Sequence, residues 1–202
     1  MSFGFDVEIW GDYACFTQPE QNEQRVSYDI ITPSAARGIL EAVLWKPAIE
    51  YVIDRIAVCA PIRFDDIARN EFDFEENLAE EMEHHVRKTT KILRNVRYVV
   101  TAHFNMTDNA GPDDTENKFS GMIRRRLEKG QYHHAPYLGM REFPARIRLV
   151  SEREKPIYAI SETRFIGRML YDLDYQNERT PKFFSAEMYR GIVDLRHVTF
   201  IS

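Results

Sequence analysis

Apolar residues recur along this chain at two spacings, and the switches between them outline its elements. Phe5-Asp-Val-Glu-Ile-Trp10 alternates apolar with acidic residues, the period of a half-buried strand, and Gly11-Asp12 breaks it. Residues 17–27 are polar and read as a loop. Thr32 as N-cap and Pro33 at the first helical position then open a helix. Ala36, Ile39, Leu40, Val43 and Leu44 make its apolar face, while Arg37 and Glu41 stand four apart on another side. Pro47 is the predicted stop, leaving Trp45-Lys46 at the exit. Period two returns from Glu50 to Val58 and ends at Pro61. Residues 64–80 are acidic with Phe64, Phe72 and Phe74 interleaved, and predict a surface excursion. Residues 77–90 predict a helix from Asn77. Leu93 to Phe104 carries Val96, Tyr98, Val100, Ala102 and Phe104 at period two, a strand. A loop over 105–117 precedes a helix from Asn117 to Lys129, with Met122, Ile123 and Leu127 inward and Gly130 ending it. Pro144 to Val150 alternates once more.

The order is βαββαβ, the ferredoxin-like arrangement that also frames RNA-recognition modules. That frame hosts many functions and proves none. The strand at 93–104 lacks an RNP-type aromatic signature, so base stacking on the sheet face is not predicted. Beyond residue 130, short apolar runs at 158–160, 164–172, 182–188 and 192–194 predict a second, small antiparallel sheet. The expectation is an α+β protein. Its ferredoxin-like domain occupies residues 1–130, with a strand at 144–150 completing the sheet, and a β extension fills 131–202.

No apolar run approaches the roughly 20 residues that span a bilayer, and the N-terminus carries no basic segment followed by an apolar one. Cys15 and Cys59 make no disulfide framework, which suits a reduced, cytoplasmic interior. The net charge of −5 runs against the usual footprint of a nucleic-acid binder. Its distribution matters more. Residues 61–83 hold nine Asp/Glu against Arg63 and Arg69, whereas residues 84–150 hold thirteen Lys/Arg against six Asp/Glu. The chain is therefore expected to present one acidic face and one basic one, although charge runs are commonly just solvated surface.

Metal chemistry finds little support. His84-His85 and His133-His134 are sequence neighbours whose side chains diverge, so neither pair chelates by itself. Glu81 and His85 share a helical spacing, but no Cys-x-x-Cys or His-Glu-x-x-His occurs. No glycine-rich phosphate loop is present, which argues against nucleotide hydrolysis. Lys118 and the run Arg124-Arg125-Arg126 with Lys129 are different. Three adjacent arginines on one helix cannot all be buried, and guanidinium forks match phosphate geometry.

The segments Trp10-Gly-Asp-Tyr-Ala-Cys-Phe-Thr-Gln-Pro19, Tyr28-Asp-Ile-Ile-Thr-Pro-Ser-Ala-Ala-Arg-Gly-Ile-Leu-Glu-Ala-Val-Leu-Trp-Lys-Pro-Ala-Ile49 and Ile53-Asp-Arg-Ile-Ala-Val-Cys-Ala-Pro-Ile-Arg63 continue into Lys118, Arg124-Arg-Arg126, Gly130-Gln131 and Pro136-Tyr-Leu-Gly-Met-Arg-Glu-Phe143. Together they resemble the Cas-five family of CRISPR-associated proteins in its type I-C form, a branch of the RAMP superfamily, over most of residues 5–145. The resemblance implies a metal-independent endoribonuclease, with no cofactor, that cuts precursor CRISPR RNA within its repeat and joins an interference complex. The family pattern sets a tyrosine before Trp-Lys-Pro and a Lys-His pair at the start of the second helix. Those positions are Leu44, Lys118 and Phe119 here, so only the lysine is retained. Leucine and phenylalanine move no protons, and acid–base help of about 10²–10⁴-fold must come from elsewhere. His133, His134 and Tyr132 in the Gly-Gln-Tyr-His-His-Ala-Pro-Tyr loop are candidates, and His103 is a further one.

The expected catalytic set is Lys118, His133 and His134, and the expected RNA contacts are Lys46, Arg124, Arg125, Arg126 and Lys129. Partners are precursor CRISPR RNA and the other subunits of the complex; duplex DNA stays open, and no membrane is expected. The alternative from another class is a non-catalytic scaffold that grips guide RNA. A third is a ferredoxin-like enzyme or binding module outside CRISPR biology, which the extent of the match disfavours.

Overall fold

The computed structural model describes residues 4–19, 25–73, 84–154, 157–174 and 180–201. In chain order these form β1 (Phe5–Ala14), α1 (Pro33–Val43), β2 (Ile49–Val58), β3 (Phe64–Asp73), β4 (His84–Met106), α2 (Glu116–Lys129), β5 (Arg146–Leu149), β6 (Arg164–Asp174), β7 (Thr180–Met188), β8 (Ile192–Asp194) and β9 (Phe200–Ile201). The main sheet runs β5-β1-β4-β2-β8, with β3 paired to the far half of β4. Its pairings are all antiparallel. The first four strands of this row, β5-β1-β4-β2, give the ferredoxin-like order. Their inward residues, among them Val7, Ile9, Val100, Ala102 and Phe104, are buried in one cluster with Ile39, Leu40 and Val43 of α1 and Phe119, Ile123 and Leu127 of α2.

The opposite sheet face is ionic. Asp6 accepts from the Thr101 hydroxyl at 2.6 Å. The buried Glu8 carboxylate is clasped by Arg97 and Arg148 from the flanking strands. Salt bridges thus occupy part of the face on which RNA-recognition modules stack bases.

The structure revises several local readings. β4 is far longer than the strand expected over 93–104, and β3 pairs with its first half from Phe64↔Leu93 to Asp73↔His84. Residues 64–73 of the expected surface excursion thus run as a strand, and 84–90 are strand instead of helix; residues 77–83 lie outside the described residues. Cross-strand pairing overrides the weak helical period there. Asn95, at φ 52, marks the point where β4 leaves β3 for the central sheet, a conformation that asparagine tolerates better than most residues. This hairpin also sets part of the acidic run opposite part of the basic one, Asp66 facing Lys91 in register. The two charge blocks are therefore neighbours there, not separate faces.

Residues 158–160 form no strand. β6, β7 and β9 make the expected small antiparallel sheet, whereas β8 joins the main sheet on β2. Arg37 of α1 reaches Asp172 of β6 at 2.7 Å, and Arg164 reaches Asp29 at 2.7 Å, tying the small sheet to the first half of the chain.

Residues 136–145 close on themselves through Leu138 N–H to Phe143 O (2.7 Å) and Ala145 N–H to Pro136 O (2.9 Å), and Cys15 N–H donates to Leu138 O at 3.1 Å. Gly139, at φ +81, makes this docking possible, since a Cβ there would stand 2.0 Å from Cys15 O. Gly139→Ala is expected to destabilise the fold by at least about 2 kcal/mol, because it adds a clash to a strained backbone. Urea unfolding monitored by far-UV circular dichroism checks this.

Candidate nucleic-acid interface

An α-helix leaves its last four carbonyls without intrahelical partners. At the end of α1, partners arrive from several parts of the chain. Leu40 O accepts the Leu44 N–H at 3.0 Å, and Ala42 O accepts the N–H groups of His133 (2.7 Å) and His134 (3.3 Å). Val43 O accepts from Arg126 Nη1 at 2.6 Å. Leu44 O accepts from the Tyr51 hydroxyl of β2 at 2.8 Å. Burial raises the Tyr51 pKa well above that of an ordinary phenol, so it stays a donor. The Arg126 cation also meets the negative pole of the α1 dipole. With these carbonyls engaged, the helix stops at Val43, short of the predicted Pro47. Leu44 is already extended (φ −147, ψ 109). Trp45 and Lys46 are left outward, Trp45 being 57% exposed.

α2 starts on Thr115, whose side chain accepts from Lys118 N–H, and ends on Gly130 at φ 60. Phe119, Ile123 and Leu127 recur every four residues and are buried. Lys118, Arg125 and Lys129 follow at i, i+7 and i+11, which puts them on one exposed stripe. Arg124 lies about 120° around the helix from Lys118. Arg126 borders the buried face and spends its charge on α1. The arginine triplet thus divides three ways. Arg124, Arg125, Lys129 and Lys46 are exposed.

The Lys118 ammonium is held by Asp114 at 2.8 Å. That bond, with the Gly111 N–H, keeps the Asp114 carboxyl below the usual carboxylate range, and the Lys46 charge acts in the same direction. Lys118 therefore sits on a carboxylate that also feels the Lys46 charge, while Arg126, His133 and His134 gather at the end of α1. The short exit Leu44-Trp45-Lys46 joins the two groups. His133, His134 and Tyr132 are exposed, the two imidazoles 5.9 Å apart. His103 sits on the opposite sheet face, bound to Asp54 at 2.8 Å.

Leu44 and Phe119, the positions to which the resemblance carried a tyrosine and a histidine, are 1% and 2% exposed and belong to the core. Among the described residues, no three His, Cys, Asp or Glu side chains are grouped to hold a metal ion, and no helix is long and apolar enough to cross a membrane. The Glu81–His85 spacing lies outside the described residues. Sequence reasoning missed Asp114 and Tyr51. Asp114 was within reach, four residues before Lys118 and next to an N-cap threonine. Tyr51 carried no local signal.

The family model described as CRISPR-associated protein (Cas_Cas5) matches residues 5–196. This chain belongs to that family. It is 43% identical over 209 residues to the CRISPR pre-crRNA endoribonuclease Cas5d of Mannheimia succiniciproducens, covering 94% of this chain and 93% of that protein. It is 42% identical over 147 residues to the Thermus thermophilus protein of the same name, covering 69% of this chain and 61% of that one. A solved structure described as a CRISPR-associated protein shares the fold, with a TM-score of 0.76 at 21% identity over 97% of this chain and 93% of that one.

Two predictions separate the arginines. Arg126→Ala is expected to lower stability by about 1–2 kcal/mol, since a buried helix-end carbonyl loses a charged donor; thermal unfolding checks this. Arg125→Ala is expected to leave stability within about 0.5 kcal/mol and to reduce the slope of log affinity against log salt for repeat RNA by about one. Asp114→Asn frees the Lys118 ammonium and is expected to tighten RNA binding a few-fold at low salt. Filter binding across a salt series reads both, and an unchanged affinity for Asp114→Asn would show that Lys118 meets no phosphate.

Proposed function

We propose that this protein binds precursor CRISPR RNA, cuts it within the repeat without a metal ion, and serves as a subunit of a CRISPR interference complex in the cytoplasm. The observation that carries the reading is the exposed row of Lys118, Arg125 and Lys129 along α2, in a chain related over 94% of its length to a protein named as a pre-crRNA endoribonuclease. In the reaction, the ribose 2′-oxygen attacks the adjacent phosphorus and the 5′-oxygen leaves. The products are a 2′,3′-cyclic phosphate and a 5′-hydroxyl. A base must take the 2′-hydroxyl proton, an acid must give one to the 5′-oxygen, and a cation must offset the charge growing on the phosphoryl oxygens.

Lys118, with Lys46 beside it, is the proposed cation. His133 and His134 are the proposed proton carriers, since an imidazole ring offers one nitrogen that donates and one that accepts. Lys129 and Arg125 hold the strand, and Arg124 grips its flank. Arg126 acts from behind, by fixing the end of α1 against α2. The buried Leu44 and Phe119 favour a second reading, in which the protein grips processed guide RNA and cuts nothing.

Purified protein incubated in EDTA with cognate repeat RNA separates the two. The expected result is one discrete cut, abolished by a 2′-deoxy nucleotide 5′ of it. Lys118→Ala is expected to slow the cut by about 10²–10³-fold with little loss of binding, and His133→Ala with His134→Ala to slow it by about 10²–10⁴-fold. Uncut RNA held tightly establishes the scaffold instead. Duplex DNA added as competitor to the same mixture tests whether it is also a ligand.

A further inference from the structure

A groove of about 460 Å³ runs over the outer surface of α1, within the range of pockets that accept small molecules. Its floor is made of Ala35, Gly38 and Ala42. Gly38 stands mid-helix, where glycine is a poor helix former, and a Cβ there would meet nothing within 4 Å. His134 and Tyr137, carried on the loop docked by Gly139, line it with the end of β1, and Leu170 of β6 lines it as well. Glu41 also lines it, and among the described lining residues there is no lysine or arginine. One Glu41 oxygen accepts from Arg37 at 2.8 Å, and the other has no donor among the described residues.

This lining repels phosphate and suits a flat, amino-bearing ring. His134 belongs both to the groove and to the loop that follows α2 and is bonded to the end of α1. We propose that the groove takes one unstacked base of the bound RNA, with Glu41 accepting a hydrogen bond from its exocyclic amino group and Tyr137 and His134 lying against its ring. Uracil fits poorly, since its single imino N–H is flanked by two carbonyl oxygens that face the carboxylate. The inference rests on the RNA-binding reading above and adds a base-specific subsite to it.

The test uses the intact chain in EDTA with cognate repeat RNA made uncleavable by a 2′-deoxy nucleotide 5′ of the cut. Single abasic residues are placed at each unpaired position. Wild-type protein is expected to show one position whose base is worth about tenfold or more in affinity. Gly38→Leu fills the groove with a better helix former, so folding is retained, as circular dichroism verifies. It is expected to lose the same factor and to become indifferent to that abasic site. Glu41→Gln is expected to erase the preference for an amino-bearing base over uracil there.

Gly38→Leu that binds as wild type, while Arg125→Ala weakens binding, overturns the groove proposal and leaves the RNA-binding reading standing. A Gly38→Leu penalty that adds in full to the abasic penalty at every position also overturns it. Wild-type protein that binds no repeat RNA overturns both.

Discussion

The carbonyl groups at the end of α1 hold the candidate site together. A helix end buried without partners would be costly, and this one is relieved by a tyrosine from β2, an arginine from α2 and two backbone N–H groups of the histidine loop. Each bond has a second effect. Tyr51 ties the exit of α1 to the sheet, Arg126 sets α2 against α1, and Ala42 anchors His133 and His134. The exposed Trp45-Lys46 pair and the cationic stripe of α2 therefore flank a junction that is fixed for structural reasons.

An acidic protein can still offer a phosphate-binding surface if its carboxylates are engaged elsewhere. Glu8 is spent on Arg97 and Arg148, Asp54 on His103, and Asp172 on Arg37. Asp66 of β3 stands across from Lys91 of β4. On the outer stripe of α2 the cations face solvent, and Asp114 is the carboxylate seated on Lys118. Within about 10 Å, the screening length at ordinary salt, this local balance outweighs the net charge.

Leu44 and Phe119 extend the core. Leucine at 44 and phenylalanine at 119 pack with the residues that join the helices to the sheet. The proton carriers proposed above are exposed imidazoles on a loop, which itself depends on Gly139 and the helix-end bonds for its place.

By itself the sequence determined the βαββαβ frame, the first helix start at Thr32, the second helix to within one residue of its observed start at Glu116 and its stop at Gly130, because these signals act within a few residues. It also singled out Lys118 and the arginine run, and the wording of its motifs pointed to the family. What it could not carry was anything settled by partners distant in the chain. The helix period over 77–90 was local and weak, and for 84–90 it lost to pairing with β3. The expected end of α1 near Pro47 moved to Val43, because its carbonyls found Arg126, Tyr51 and the 133–134 backbone. Three consecutive arginines look equivalent in sequence. Helix geometry sent them in three directions, and only the packing of α2 on α1 decided that Arg126 braces the fold while Arg124 and Arg125 stay in solvent.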